Sequence, residues 1–170
     1  MFQFHFAYEQ LPGLILPVVL CAYFAVTGKI KGFNGPLLLI FLGSTLLDIQ
    51  LAHWNVSPHR ISLNGYPICA LAVLFASIFS SSTRAGAYLG YCMVFFSELC
   101  RDLICGFHYA IIHGMLTAYF FTGVGGAGFE DGLFMQPLLT ALSLAVLARL
   151  PAFERRFMAG SFLAKPVSFF

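Results

Sequence analysis

Five stretches of this chain are apolar over lengths close to bilayer hydrocarbon thickness, and short polar segments separate them. A helix needs roughly 17–25 such residues to cross. The stretches are 11–28, 36–54, 66–80, 86–123 and 133–150. A water-soluble fold has to cover its core with charge, and soluble domains carry roughly 25% charged residues. Here 9% of the chain is charged, 59% is hydrophobic, and Phe alone supplies 20 of the 170 residues. Lipid accepts the apolar surface that water rejects. The fold class predicted is all-α: a polytopic integral membrane helix bundle of five transmembrane helices, one domain over 1–170, with the lipid bilayer as its first partner.

The punctuation between the stretches is glycine, proline and polar residues. "GKIKGFNG" closes the first, and "NVSPHRISLNGYP" reads as a polar loop after the second. The third fades into "SSSTRAG". The fourth is too long for one straight span, since 38 helical residues rise roughly 55 Å. A break at Gly106 or Gly114 is expected, giving two spans near 86–104 and 107–123, or one span and a re-entrant piece. Six spans is therefore the alternative count.

Basic residues set the orientation, because Lys and Arg collect on the cytoplasmic side. Lys29, Lys31 and Arg84 place the first and third loops there, and Arg149, Arg155, Arg156 and Lys165 place the C-terminus there. An outside N-terminus and a cytoplasmic C-terminus require an odd number of spans, which favours five. The N-terminal "MFQFHFAYEQLPG" has no Lys or Arg, unlike a secretory signal peptide, so the first span is expected to be retained. Residues 151–170 mix Phe with Arg and Lys and read as a cytoplasmic interfacial tail. The localisation expected is a bacterial cytoplasmic (inner) membrane.

Against this background "SELCRDLICGFHYAIIH", residues 97–113, stands out. At about 100° per residue, Glu98, Arg101, Asp102, His108 and His113 fall within an arc of about 140° on one helix. An ionised group at bilayer depth costs roughly 2.5–3.5 kcal/mol on insertion scales, so such groups pair, face water or carry function. Glu98 and Arg101 have the spacing of an intrahelical pair. Asp48, in "LGSTLLDIQLAH" with Ser44 one turn before it, could face the same interior and join Arg101. The candidate ligand, proton or ion-pair cluster is thus Asp48, Glu98, Arg101, Asp102, His108 and His113. The bland alternatives are a membrane–water boundary with "SELCRD" as a short loop, an ion pair that only fixes packing, and Asp48 as an ordinary helix-end residue.

Other motifs argue for little. "GVGGAG" satisfies G-x-G-x-x-G at Gly123, Gly125 and Gly128, but an apolar span precedes it where a strand is required. His108 and His113 are five apart, the wrong spacing for shared ligation on a helix. His53, Asp102 and His113 are the residual metal candidates, and no cofactor is expected. The five cysteines lack a Cys-x-x-Cys pair and read as small buried hydrophobes. Gly86 to Gly90 and Ala141 to Ala145 have small-xxx-small spacing, which lets helices approach closely. A net charge of +2 is too small to argue for nucleic acid, and no nucleic-acid partner is expected.

Two function classes follow. One is a non-enzymatic transport, translocation or assembly subunit whose polar cluster binds a partner helix, a proton or a small polar ligand, with a protein partner or oligomer in the membrane. The other is a membrane-embedded enzyme, metal-dependent in one version, using Glu98 or Asp102 with His108 or His113.

Overall fold

The computed structural model describes residues 11–57, 60–80, 83–112, 124 and 128–150, with backbone alone at 56, 57 and 60–62. The chain is mostly helical. A π turn, Leu11–Ile15, leads into helix α1, Leu16–Val26. Helix α2 spans Gly35–Leu51, α3 Ile68–Phe79, α4 Ala87–Ile112 and α5 Gly132–Arg149, the last preceded by a 3-10 turn, Gly128–Glu130. A hairpin lies between α2 and α3: β1, His53–Ser57, and β2, Arg60–Asn64.

Local chemistry explains the helix ends. The extended Asn34 caps α2 by accepting the Leu37 N–H at 3.0 Å, and Pro36 follows where its missing N–H is harmless. Asp131 caps α5 by accepting the Leu133 N–H at 2.9 Å. At the end of α1, Gly28 takes φ +63°. It donates to Ala25 O while Lys29 donates to Phe24 O, the paired closure that a left-handed residue permits. The turn brings Lys29 Nζ to 4.9 Å from the Tyr23 ring and 5.1 Å from the Tyr88 ring.

Two expectations are corrected. First, of the two glycines at which a break is expected, Gly106 lies within an unbroken α4 and Gly114 lies outside the described residues, and "SELCRD", a short loop in the bland alternative, is helix. Gly106 is buried and costs only about 1 kcal/mol relative to Ala in a helix, which packing against neighbours outweighs. As one rod of 26 residues, α4 is about 39 Å long. Second, the polar loop is a two-stranded antiparallel hairpin, with Trp54 opposite Leu63 and Val56 opposite Ile61. The alternation Trp54, Val56 and Ile61, Leu63 is a strand pattern with prolines confined outside it. His53 consequently belongs to β1. Trp54 lies over Tyr109 with centroids 4.4 Å apart, which seats the hairpin on α4.

Contacts fix the helix directions. Gly90 meets Leu144, and Glu98 lies beside Gly132 and Gln136, so α4 and α5 are antiparallel. Thr45 reaches Ser97 and Asp48 reaches Arg101, so α2 and α4 are parallel. Cys69 bonds Met93 O, with Val73 near Gly90, so α3 opposes α4. Phe24 packs on Tyr88 and Cys21 faces Cys92, so α1 opposes it too. Each helix therefore reverses the direction of the one before.

One core cluster joins Leu37, Val73, Leu89, Val94 and Leu144; a second joins Cys21, Tyr91, Phe95 and Leu133. Cys69 and Cys92 are also buried, and all five cysteines are free. The outer surface is apolar: Leu39 is 72% exposed and Val146 62%. Among the described residues one helix, α5, is by itself long and apolar enough to cross a membrane; 11–26, α2 and α3 are shorter apolar helices. Residues 113–123 and the tail 151–170, and with them His113, Gly114 and the tail's predicted interfacial role, lie outside the described residues.

Candidate functional site

The interior of the bundle holds the charge. Arg101, on α4, is 5% exposed and meets three carboxylates. Its Nη1 donates to Asp48 Oδ2 of α2 at 3.2 Å. The same Nη1 lies 2.5 Å from Glu98 Oε2, one helical turn back. Its Nε and Nη2 both donate to Asp102 Oδ1, at 3.0 and 2.8 Å. A guanidinium can do this because its planar fork presents donors in several directions at once.

The three acids are held differently. Asp48 is fully buried, and its Oδ1 accepts the Tyr66 N–H at 3.1 Å from the segment that follows the hairpin. Asp102 is 17% exposed at its side chain, so it is the wettest member. Glu98 is fully buried, and neither of its oxygens has a hydrogen bond. Its contact with Nη1 is close in distance but lacks the angles of a hydrogen bond.

A second layer surrounds these residues. Ser97 and Thr45 share a buried hydrogen bond of 2.8 Å between α4 and α2, and Thr45 also donates to Phe41 O. Gly65 lies directly against Arg101: a Cβ there would overlap the guanidinium. On α5, a Cβ at Gly132 would come within 3.2 Å of Gln136 Nε2 and 3.6 Å of Glu98 Oε2. Gln136 Oε1 is buried without a hydrogen-bond partner.

Asp48, Glu98, Arg101 and Asp102 thus converge. His53 and His108 have no hydrogen bond or ion pair to the cluster. His53 lies near the Tyr66 ring, at 6.2 Å between centroids, and His108 is exposed. The stripe geometry of a single helix groups His108 with the acids, but His108 lies two turns beyond Arg101 along α4 and is exposed. His113 lies outside the described residues. Among the described residues no group of three His, Cys, Asp or Glu side chains is arranged to hold a metal ion. Gly65, Tyr66, Thr45, Ser97 and Gln136 escape the reading of the sequence. Thr45 could have been found, because it lies three residues before Asp48 on the same helix face. Gly65 and Gln136 carry no local signal.

Of the glycines in "GVGGAG", Gly123, Gly125 and Gly126 lie outside the described residues, and Gly128 opens the 3-10 turn with φ +65°. No protein-family model matches the chain, and no curated protein or solved structure shows significant similarity to it.

Proposed function

We propose that the chain is a small polytopic protein of a bacterial inner membrane, a non-enzymatic transport, translocation or assembly component. Its buried ion-pair cluster is the working site, binding a partner helix, a proton or a small polar ligand. The observation that carries this reading is the reversed distribution of polarity. Asp48 and Glu98 are 0% exposed while Leu39, Leu46, Ile111, Ile112 and Val146 face outward. Continuous apolar exterior of this kind marks a surface meant for lipid.

The ends of the bundle support the same reading. Lys29 reaches Tyr88 at the start of α4, and Arg84 shares a cavity with Ser77, Ala87 and Leu150. Lys29, Arg84 and Arg149 therefore gather at one end. Asp48, Glu98, Asp102 and the capping Asp131 occupy the other half, beneath the hairpin. With the basic end in the cytoplasm, five alternating helices put the N-terminus outside and the C-terminus inside. The short helices α1 and α3 are accommodated by local thinning or by neighbouring helices.

Carbonate extraction of membranes containing the full chain, with C-terminal reporters, tests this. Retention in the membrane, with a fluorescent GFP fusion and an inactive alkaline phosphatase fusion, is expected. Release of the chain into the soluble fraction overturns the membrane reading, and an active phosphatase fusion overturns the topology.

A further inference from the structure

We propose that Glu98 is a proton-binding site, its carboxyl holding an exchangeable proton at neutral pH in the interior of the bundle. This rests on the preceding reading and names the ligand of that same site.

Charge counting is the first argument. Three carboxylates surround one guanidinium, so full ionisation leaves the cluster at −2. Uncompensated charge of that size is not tolerated in an apolar interior; such groups neutralise instead. Asp48 is matched by a donor at each oxygen, Arg101 on one and the Tyr66 N–H on the other. Asp102 takes two guanidinium donors and reaches solvent. Glu98 touches Arg101 Nη1 but is cut off from solvent and has no hydrogen bond on either oxygen, so the proton belongs there.

Donor bookkeeping is the second: Glu98 Oε2 and Gln136 Nε2 both lie close to Gly132, and Glu98 Oε1, Glu98 Oε2 and Gln136 Oε1 are buried without hydrogen-bond partners. These three oxygens are all acceptors when Glu98 is ionised. A solvent proton bound to a Glu98 oxygen turns one of these acceptors into a donor.

The groups facing Glu98 come from every neighbouring helix: Asp48 on α2, Cys69 on α3, Arg101 and Asp102 on α4, and Gln136 on α5, with Asp131 beside Asp102. Arg101 touches both Glu98 and Asp102, the one acid of the cluster that reaches solvent.

Infrared spectroscopy of the purified full chain in nanodiscs tests the proposal. Carboxyl-13C glutamate labelling separates Glu from Asp. At neutral pH a protonated glutamic acid C=O band is expected, shifting in D2O and with the label. It should be lost in Glu98→Gln and kept in Asp48→Asn. Absence of a label-sensitive band in the unsubstituted protein overturns the proposal, and that measurement needs no variant to fold. Persistence of the band in Glu98→Gln, or its loss on adding sodium at fixed pH, overturns it equally. A chain that is released by carbonate yet shows the band refutes the membrane reading alone.

Discussion

Arg101 Nη1 lies 3.2 Å from Asp48 Oδ2, tying α4 to α2 across 53 residues of sequence inside a bundle whose surface is apolar. Because the same nitrogen also touches Glu98, Arg101 is where two parallel helices and three acids meet. Its removal, unlike that of a surface cation, strands carboxylates away from water.

Arg101→Ala is therefore expected to destabilise the protein by about 3–5 kcal/mol, the range for breaking a buried pair. The folded, monodisperse fraction in detergent should fall sharply. Arg84→Ala, at an exposed position, should leave it unchanged. Combining Arg101→Ala with Asp48→Asn, Glu98→Gln and Asp102→Asn should recover part of the loss, since no unpaired charge remains. Normal accumulation of Arg101→Ala alone would show that the cluster contributes little to folding.

Gly65→Ala should also disturb the cluster, although Gly65 bears no charge. Its φ is unexceptional, so the effect is steric: the new methyl occupies the place of the guanidinium. Overpacking of this kind costs about 1–3 kcal/mol. A thermal-shift measurement should place Gly65→Ala well below the unsubstituted protein. In the Arg101→Ala background the same change should be nearly silent.

The Thr45–Ser97 hydrogen bond gives a third expectation. Ser97→Ala leaves Thr45 its bond to Phe41 O, whereas Thr45→Val leaves Ser97 without its hydroxyl partner. Thr45→Val should thus be the worse single change, at about 1–3 kcal/mol. The double variant should be less unstable than the sum, with coupling of about 0.5–3 kcal/mol in a mutant cycle. Strict additivity would show that the bond does not link α2 to α4.

Close approach of α4 and α5 is tested at Gly90. A Cβ there would overlap Leu144 Cδ1, the tip of a flexible side chain, with Val73 at 3.7 Å. Gly90→Ala should cost about 1–3 kcal/mol through overpacking, and Leu144→Ala about 2–5 kcal/mol through the space it leaves. Joined, they should partly cancel in melting temperature, because the new methyl points into that space. No recovery in the pair would place the two helices further apart than this packing implies.

Much of the helical layout is legible from residues alone. Apolar runs between Gly, Pro and Asn punctuation mark where helices can form, and Asn34–Gly35–Pro36 and Asp131–Gly132 carry their own caps. Gly106 misleads, because its weak helix propensity is visible in the sequence while the packing that overrides it is not. The hairpin is hidden by Pro58 between its strands, Pro67 after them and many polar residues, although Trp54, Val56, Ile61 and Leu63 alternate as a strand pair does.

The sequence by itself determined that the chain is helical and apolar, and that Glu98, Arg101 and Asp102 share one helix, since periodicity and composition are local properties. Only the tertiary structure decided which charges meet. Asp48 joins Arg101 because α2 runs parallel to α4, and His108, two turns beyond Arg101 along α4, is exposed. Gly65 and Tyr66, from the segment after the hairpin, and Gln136, from α5, reach the site through backbone proximity and a side-chain amide. Such contacts depend on helix direction and interaxial closeness, which pairwise packing sets and no single segment encodes.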